Sequence, residues 1–173
     1  MAWKPPPPAP GTLRPLTAEE EAVVRALPSL IYALPRAIEA EMTREQRLSN
    51  TEYLALMHLS EAPDRHLRMH ELARACEMSL SGTTRIVHRM ESEGLVDRVQ
   101  CSTDGRSWHA CLTDAGLTRL EEAWPTNLAA IRRHFLDHVK GLDLKELAAA
   151  LQKVAMPPER RTRPRRDPPS PGE

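Results

Sequence analysis

The sequence predicts a mainly α-helical fold that carries one small β-hairpin. Three observations lead there. Helix-capping signatures recur ahead of runs with helical apolar spacing, two helices meet across a three-residue turn, and two short β-rich runs flank a turn-forming tetrapeptide.

Thr17 and Glu20 have the spacing of a capping box, and Val23, Leu27, Leu30, Ile31, Leu34, Ile38 and Met42 follow at helical intervals. A first amphipathic helix therefore starts near Thr17. Pro28 and Pro35 lie inside it. Each removes a backbone hydrogen bond and clashes with the preceding turn at a cost of about 3 kcal/mol, so a break or kink is expected. Ser49 and Glu52 repeat the capping signature. Tyr53, Leu54, Leu56, Met57 and Leu59 give a second helix its apolar face, and Ala62 and Pro63 stop it.

A short third helix covers Met69 to Cys76, and Ser79 caps a fourth that runs to about Glu93. Gly94 ends it, because only a residue without Cβ readily turns left-handed. Leu95 to Cys101 and Ser107 to Leu112 read as hairpin strands around Ser102, Thr103, Asp104 and Gly105. Thr113 caps the next helix, where Pro125 imposes an interruption before apolar positions resume at Leu128, Ile131, Phe135 and Val139. Asp143 and Glu146 cap the last helix, which ends near Met156.

At 173 residues and 40% hydrophobic content, the chain can bury one sizeable core. Residues 1–16, with the run Pro5 to Pro8, and residues 157–173, rich in proline and arginine, are expected to be disordered arms. No apolar run of about 18 residues is present, so no membrane partner is expected and the expected location is the cytoplasm. The three cysteines, Cys76, Cys101 and Cys111, lack CxxC spacing and give no disulfide framework. Aromatic residues make up 3%, too few for the stacking platforms that hold single strands, which leaves double-stranded DNA as the nucleic-acid partner to consider. The formal net charge is zero, so any grip on DNA must be local.

The paired third and fourth helices supply such a locality. In a helix-turn-helix the first helix packs across the second and presents the amino-terminal end of that second helix to base edges in the major groove. Leu72, Ala73, Cys76, Met78, Ile86, Val87 and Met90 form the buried seam, with small Ala73 at the close approach. The capping Ser79 and the residues Ser81, Thr83, Thr84, Arg85, His88 and Arg89 remain for the exposed face. Their hydroxyls and guanidinium groups suit phosphate oxygens, purine acceptors and thymine methyls.

Further motifs point the same way. Asp104-Gly105-Arg106, followed after five residues by Leu112-Thr113-Asp114-Ala115-Gly116, resembles the wing-to-helix signature of the MarR family of winged helix-turn-helix regulators. Glu71-Leu72-Ala73 and Met90-Glu91-Ser92-Glu93-Gly94-Leu95-Val96 also look like that family, and the resemblance spans about Thr17 to Met156. It implies a winged helix-turn-helix over 49–113, with dimerisation helices over 17–45 and 114–156 that intertwine two copies into a homodimer. It further implies a wing arginine in the flanking minor groove, matched by Arg106, and an acidic residue steadying the loop, matched by Asp104. A narrow minor groove concentrates negative potential, so an arginine there senses its width. Glu77 departs from the pattern, since the family often has glycine between the two helices; that turn carries strain if its φ is positive.

The expected function is a homodimeric repressor that binds a pseudopalindromic duplex operator and is released by a small amphipathic or aromatic ligand. Tyr32, Met42, Tyr53, Met57 and His58 are the candidate ligand residues, with plain core packing as the alternative. A winged-helix module for protein partners and a zinc-gated regulator using His134 and His138 are the rival readings. For Cys101 and Cys111, which flank the wing, a redox switch stands against hairpin packing. Asp104, Ser107 and His109 crowd one hairpin without an oxyanion loop, so neither an enzyme nor a cofactor is expected.

Overall fold

Side chains that bond back to the main chain set most of the helix boundaries in the computed structural model, which describes residues 14–100 and 108–155. The Glu20 amide donates to Thr17 Oγ1 over 3.2 Å, and the Thr17 amide donates to Glu20 over 2.8 Å, which starts α1 (Ala18–Gln46). The reciprocal pair Ser49 and Glu52 starts α2 (Asn50–Glu61). β1 (His66–Arg68) leads into α3 (Met69–Ala75), and Ser79 Oγ accepts from the Gly82 amide to open α4 (Leu80–Ser92). β2 (Val96–Gln100) and β3 (Trp108–Leu112) precede α5 (Asp114–Ile131). A π-helical segment (Arg132–Leu136) and the short α6 (Asp137–Val139) then lead to α7 (Leu144–Ala155), where Asp143 Oδ1 accepts from the Lys145 and Glu146 amides.

The break expected at Pro28 and Pro35 and the interruption expected at Pro125 do not occur. α1 runs unbroken through Pro28 and Pro35, and α5 runs through Pro125. All three prolines are exposed, so a backbone carbonyl that loses its intrahelical partner at such a site can bond to water. Pro28 and Pro35 also stand two turns apart, so both interruptions fall on one flank of α1. The π-helical segment was likewise not foreseen.

The hairpin is part of a larger sheet. β1 joins it to make an antiparallel order β1-β3-β2, with His66 opposite Cys111, Val96 opposite Leu112 and Gln100 opposite Trp108. The core beneath is built from Met42 of α1, Tyr53, Leu56 and Leu59 of α2, Leu72 of α3, and Val87 and Met90 of α4, closed by Val96, Ala110, Leu120 and Ala123. Each fully buried aliphatic chain among these contributes about 1.5–3 kcal/mol. Other apolar residues have no such cover. Val23, Leu27, Leu30 and Ile31 on the first half of α1, and Leu151 and Val154 on α7, are exposed.

The two junctions around the helix pair are closed by the same device. Gly94 takes φ 72°, its amide donates to Glu91 O and the Leu95 amide donates to Met90 O, a Schellman closure of α4. At the end of α3, the Glu77 amide donates to Arg74 O and the Met78 amide to Ala73 O, with Glu77 at φ 52°. The strain expected at Glu77 is therefore present. A Cβ in the left-handed region costs about 1–2 kcal/mol, so Glu77→Gly should raise the free energy of unfolding by about 1 kcal/mol, read from the urea midpoint.

Candidate nucleic-acid interface

α4 is placed by its buried face. Val87 and Met90 are fully buried, and half-buried Ile86 packs beside them against the core, while Ala73 of α3 is nearly buried in the seam between the two helices. What remains outward divides into a free tip and a tethered flank.

The tip comprises Leu80, Ser81, Thr84 and Arg85. Ser81 Oγ lies 3.2 Å from Ser79 Oγ, and half-buried Thr84 donates its hydroxyl to Leu80 O over 2.9 Å. Arg85 is exposed and has neither an ion pair nor a hydrogen-bond partner among the described residues. Leu80, 53% exposed at the first position of the helix, was not singled out from sequence, although the Ser79 cap places it there.

Thr83 does not belong to this face. It is fully buried and its hydroxyl donates to Ser79 O over 3.1 Å, because the turn of α4 that follows the cap points Thr83 at the core. Arg89 is displaced from its expected role in a different way. Its guanidinium bonds the nearly buried carboxylate of Glu52 on α2 and reaches Ser49 Oγ at 3.4 Å. The hydrogen bond that Arg89 donates to Glu52 holds the Arg89 pKa above its ordinary value.

His88 is tethered to the wing sheet. Arg98 Nη1 lies 2.9 Å from His88 Nε2 and Arg98 Nε donates to Glu91 Oε2 over 2.8 Å, while the guanidinium sits 5.1 Å from the Trp108 ring centroid. This cluster fixes the sheet to the flank of α4. Sequence reading missed it because its members come from α4, β2 and β3. The wing residues Asp104 and Arg106 lie outside the described residues, as do Cys101, residues 1–13 of the amino-terminal arm and the whole carboxy-terminal arm.

The five candidate ligand residues do not form one site. Met42 is core, Tyr32 is exposed on α1, and His58 is half-buried on α2. Tyr53 and Met57 alone among the five line a common cavity, between α2 and α5. Burial pushes the Cys76 thiol up, and burial with the nearby Asp97 carboxylate pushes the Cys111 thiol up, the reverse of an activated thiol.

His134 Nε2 lies 2.6 Å from the nearly buried Glu41 Oε1, which also accepts from Arg133 Nη1 over 2.8 Å. That carboxylate joins α1 to the π-helical segment. Its hydrogen bond with His134, with Arg133 adding to the effect, holds the Glu41 carboxyl below its ordinary 4.5. The contribution is complete above that ordinary value and is lost as pH falls through the lowered one. Among the described residues, no three His, Cys, Asp or Glu side chains are grouped to hold a metal, and no helix is long and apolar enough to cross a membrane.

Comparison with known proteins adds to this geometry. Residues 48–107 match the sequence model of the MarR family. The fold superposes on Sco3205, a MarR family transcriptional regulator from Streptomyces coelicolor solved in complex with DNA, with a TM-score of 0.75. The two are 32% identical, over 85% of this chain and 94% of that one. It also superposes on AbsC, a MarR family transcriptional regulator from the same organism, at TM-score 0.72 and 34% identity, over 83% and 96% of the two chains. The transcriptional repressor MprA of Escherichia coli is 29% identical over 85 residues, 49% of this chain and 48% of MprA, so the match spans about half the length of that curated relative.

Proposed function

Because the chain belongs to the MarR family of transcriptional regulators, we propose that it is a homodimeric repressor that seats two α4 helices in successive major grooves of a pseudopalindromic operator. The observation that carries this reading is the division of α4. At its amino-terminal tip Arg85 is unpaired among the described residues and the Ser81 and Thr84 hydroxyls bond only within the first turn and its cap, while Arg89 and His88 are committed to the body of the lobe. A reading helix needs both a free end and a held shaft. The exposed stripes on α1 and α7 supply the surface for a second copy.

Two copies double the phosphate contacts that a chain of zero net charge needs. Half-sites about one helical turn apart follow from the two-fold axis. Arg106, with Asp104 steadying its loop, enters the flanking minor groove. A footprint on the DNA flanking the protein's own gene tests the reading and should protect two half-sites in that spacing. Arg106→Ala should weaken the complex about tenfold or more in a gel shift at fixed salt, with the sedimentation of the free dimer unchanged. An unaltered affinity removes the wing from the interface. Release by a small ligand completes the proposed cycle: the ligand favours a spacing of the two reading helices that does not fit the operator.

A further inference from the structure

The amino-terminal tip of α4 carries one side chain that cannot hydrogen-bond. Leu80 is 53% exposed, and across α3 and α4 it is the one large apolar side chain left exposed among the described residues. Single exposed leucines are common on protein surfaces, so exposure alone decides nothing. Position does. Leu80 is the first residue of α4, directly after the Ser79 cap. Helical side chains lean toward the amino terminus of their helix, so a side chain at the first position projects past the helix end, toward whatever that end meets.

Two rows of side chains run back from this end. Residues four apart share a helix face, which sets Leu80 with Thr84 and Ser81 with Arg85. The second row is polar and ends in the Arg85 guanidinium, unpaired among the described residues and suited to purine acceptors. The first row is different. The Thr84 hydroxyl donates to Leu80 O over 2.9 Å, so its hydrogen is not free for a base, and Leu80 itself offers hydrocarbon alone. No acidic residue stands in the first turn, so nothing there repels a phosphate backbone.

Base edges in the major groove present donors and acceptors together with one apolar substituent, the C5 methyl of thymine. A leucine set against a donor or an acceptor takes its water away and returns no hydrogen bond. Set against the methyl, it removes two apolar surfaces from water at once. We propose that Leu80 selects a thymine in each operator half-site through its C5 methyl, alongside the base that Arg85 reads. The proposal rests on the DNA reading above and adds to it a base and the atom recognised. It extends to modified DNA. 5-Methylcytosine carries a methyl at the same ring position, so the tip favours it over cytosine there.

Selection from a random-sequence duplex library with the full-length protein supplies the operator. Gel shifts at fixed salt then compare duplexes in which each thymine in turn is replaced by deoxyuridine, which lacks only the methyl. One replacement should weaken the complex about fourfold in a single half-site and about tenfold or more in both. Leu80→Ala should weaken binding to the thymine operator by a similar factor, lose the response to deoxyuridine at that position, and leave the melting temperature unchanged. Cytosine placed there should bind the parent several-fold more tightly once it is 5-methylated, and Leu80→Ala should not distinguish the two. If no replacement weakens the complex by more than about twofold, or if Leu80→Ala responds to deoxyuridine as the parent does, Leu80 does not read a methyl and the proposal fails. A library from which the parent enriches no sequence overturns the DNA reading itself, which an operator indifferent to deoxyuridine leaves standing.

Discussion

Gly116→Ala should cost about 3 kcal/mol or more of folding free energy, enough to remove a large share of the stability of a domain this size. A Cβ at Gly116 falls well inside contact distance of the Leu95 carbonyl oxygen and 2.7 Å from Leu112 Cδ1. Leu95 is backbone and cannot swing aside. Gly116 stands on the first turn of α5, where its amide donates to Thr113 Oγ1 over 3.0 Å. That hydroxyl in turn lies 2.8 Å from Gly94 O and 3.0 Å from Leu95 O, and the Thr113 amide also donates to Leu95 O. The start of α5 is thereby fastened to the turn that ends α4. A thermal or urea melt checks the prediction, and a variant as stable as the parent would show that α5 can draw back without loss. The Leu112 to Gly116 motif is thus structural: it fixes the corner between reading helix and arm.

The second large effect separates two arginines one helical turn apart. Arg85→Ala should reduce operator affinity by about 1–3 kcal/mol, roughly ten- to a hundredfold, with no change in the melting temperature. Arg89→Ala should do the reverse. It leaves the Glu52 carboxylate nearly buried with only the Ser49 amide and hydroxyl as donors, at 2.9 and 2.8 Å, and lowers stability by about 1–2 kcal/mol. Paired gel shifts and urea melts on the two variants decide it. If Arg89→Ala weakens the operator complex more than Arg85→Ala, the guanidinium leaves Glu52 to contact DNA, and the division of α4 is wrong.

What sequence discloses here is what lies within a few residues of itself. Thr17, Ser49, Ser79, Thr113 and Asp143 each cap the helix they precede, and each bond runs to an amide two or three residues on. Gly94 and the strained Glu77 were legible for the same reason, since left-handed turns are local. The misreadings arise where a distant partner decides. Thr83 and Thr84 look alike in sequence, but the core takes the first entirely and leaves the second half-buried. Arg89 is an ordinary exposed arginine until Glu52, 37 residues earlier, closes on it. β1 has three residues and no alternation of its own, and exists because β3 offers an edge. The prolines of α1 and α5 do not break their helices, because their cost depends on which side of the helix faces water.

The exposed stripe on α1 has a last consequence that belongs to mass action. On the homodimer reading, Val23, Leu27, Leu30 and Ile31 leave water only when two chains meet, so assembly and operator occupancy are both paid from the same pool of free chain. Below the dimer's dissociation constant, the dimer falls with the square of chain concentration, and a halving of synthesis removes about three quarters of the species that closes the operator. A repressor built in this way switches more sharply with its own abundance than its affinity for DNA alone would suggest.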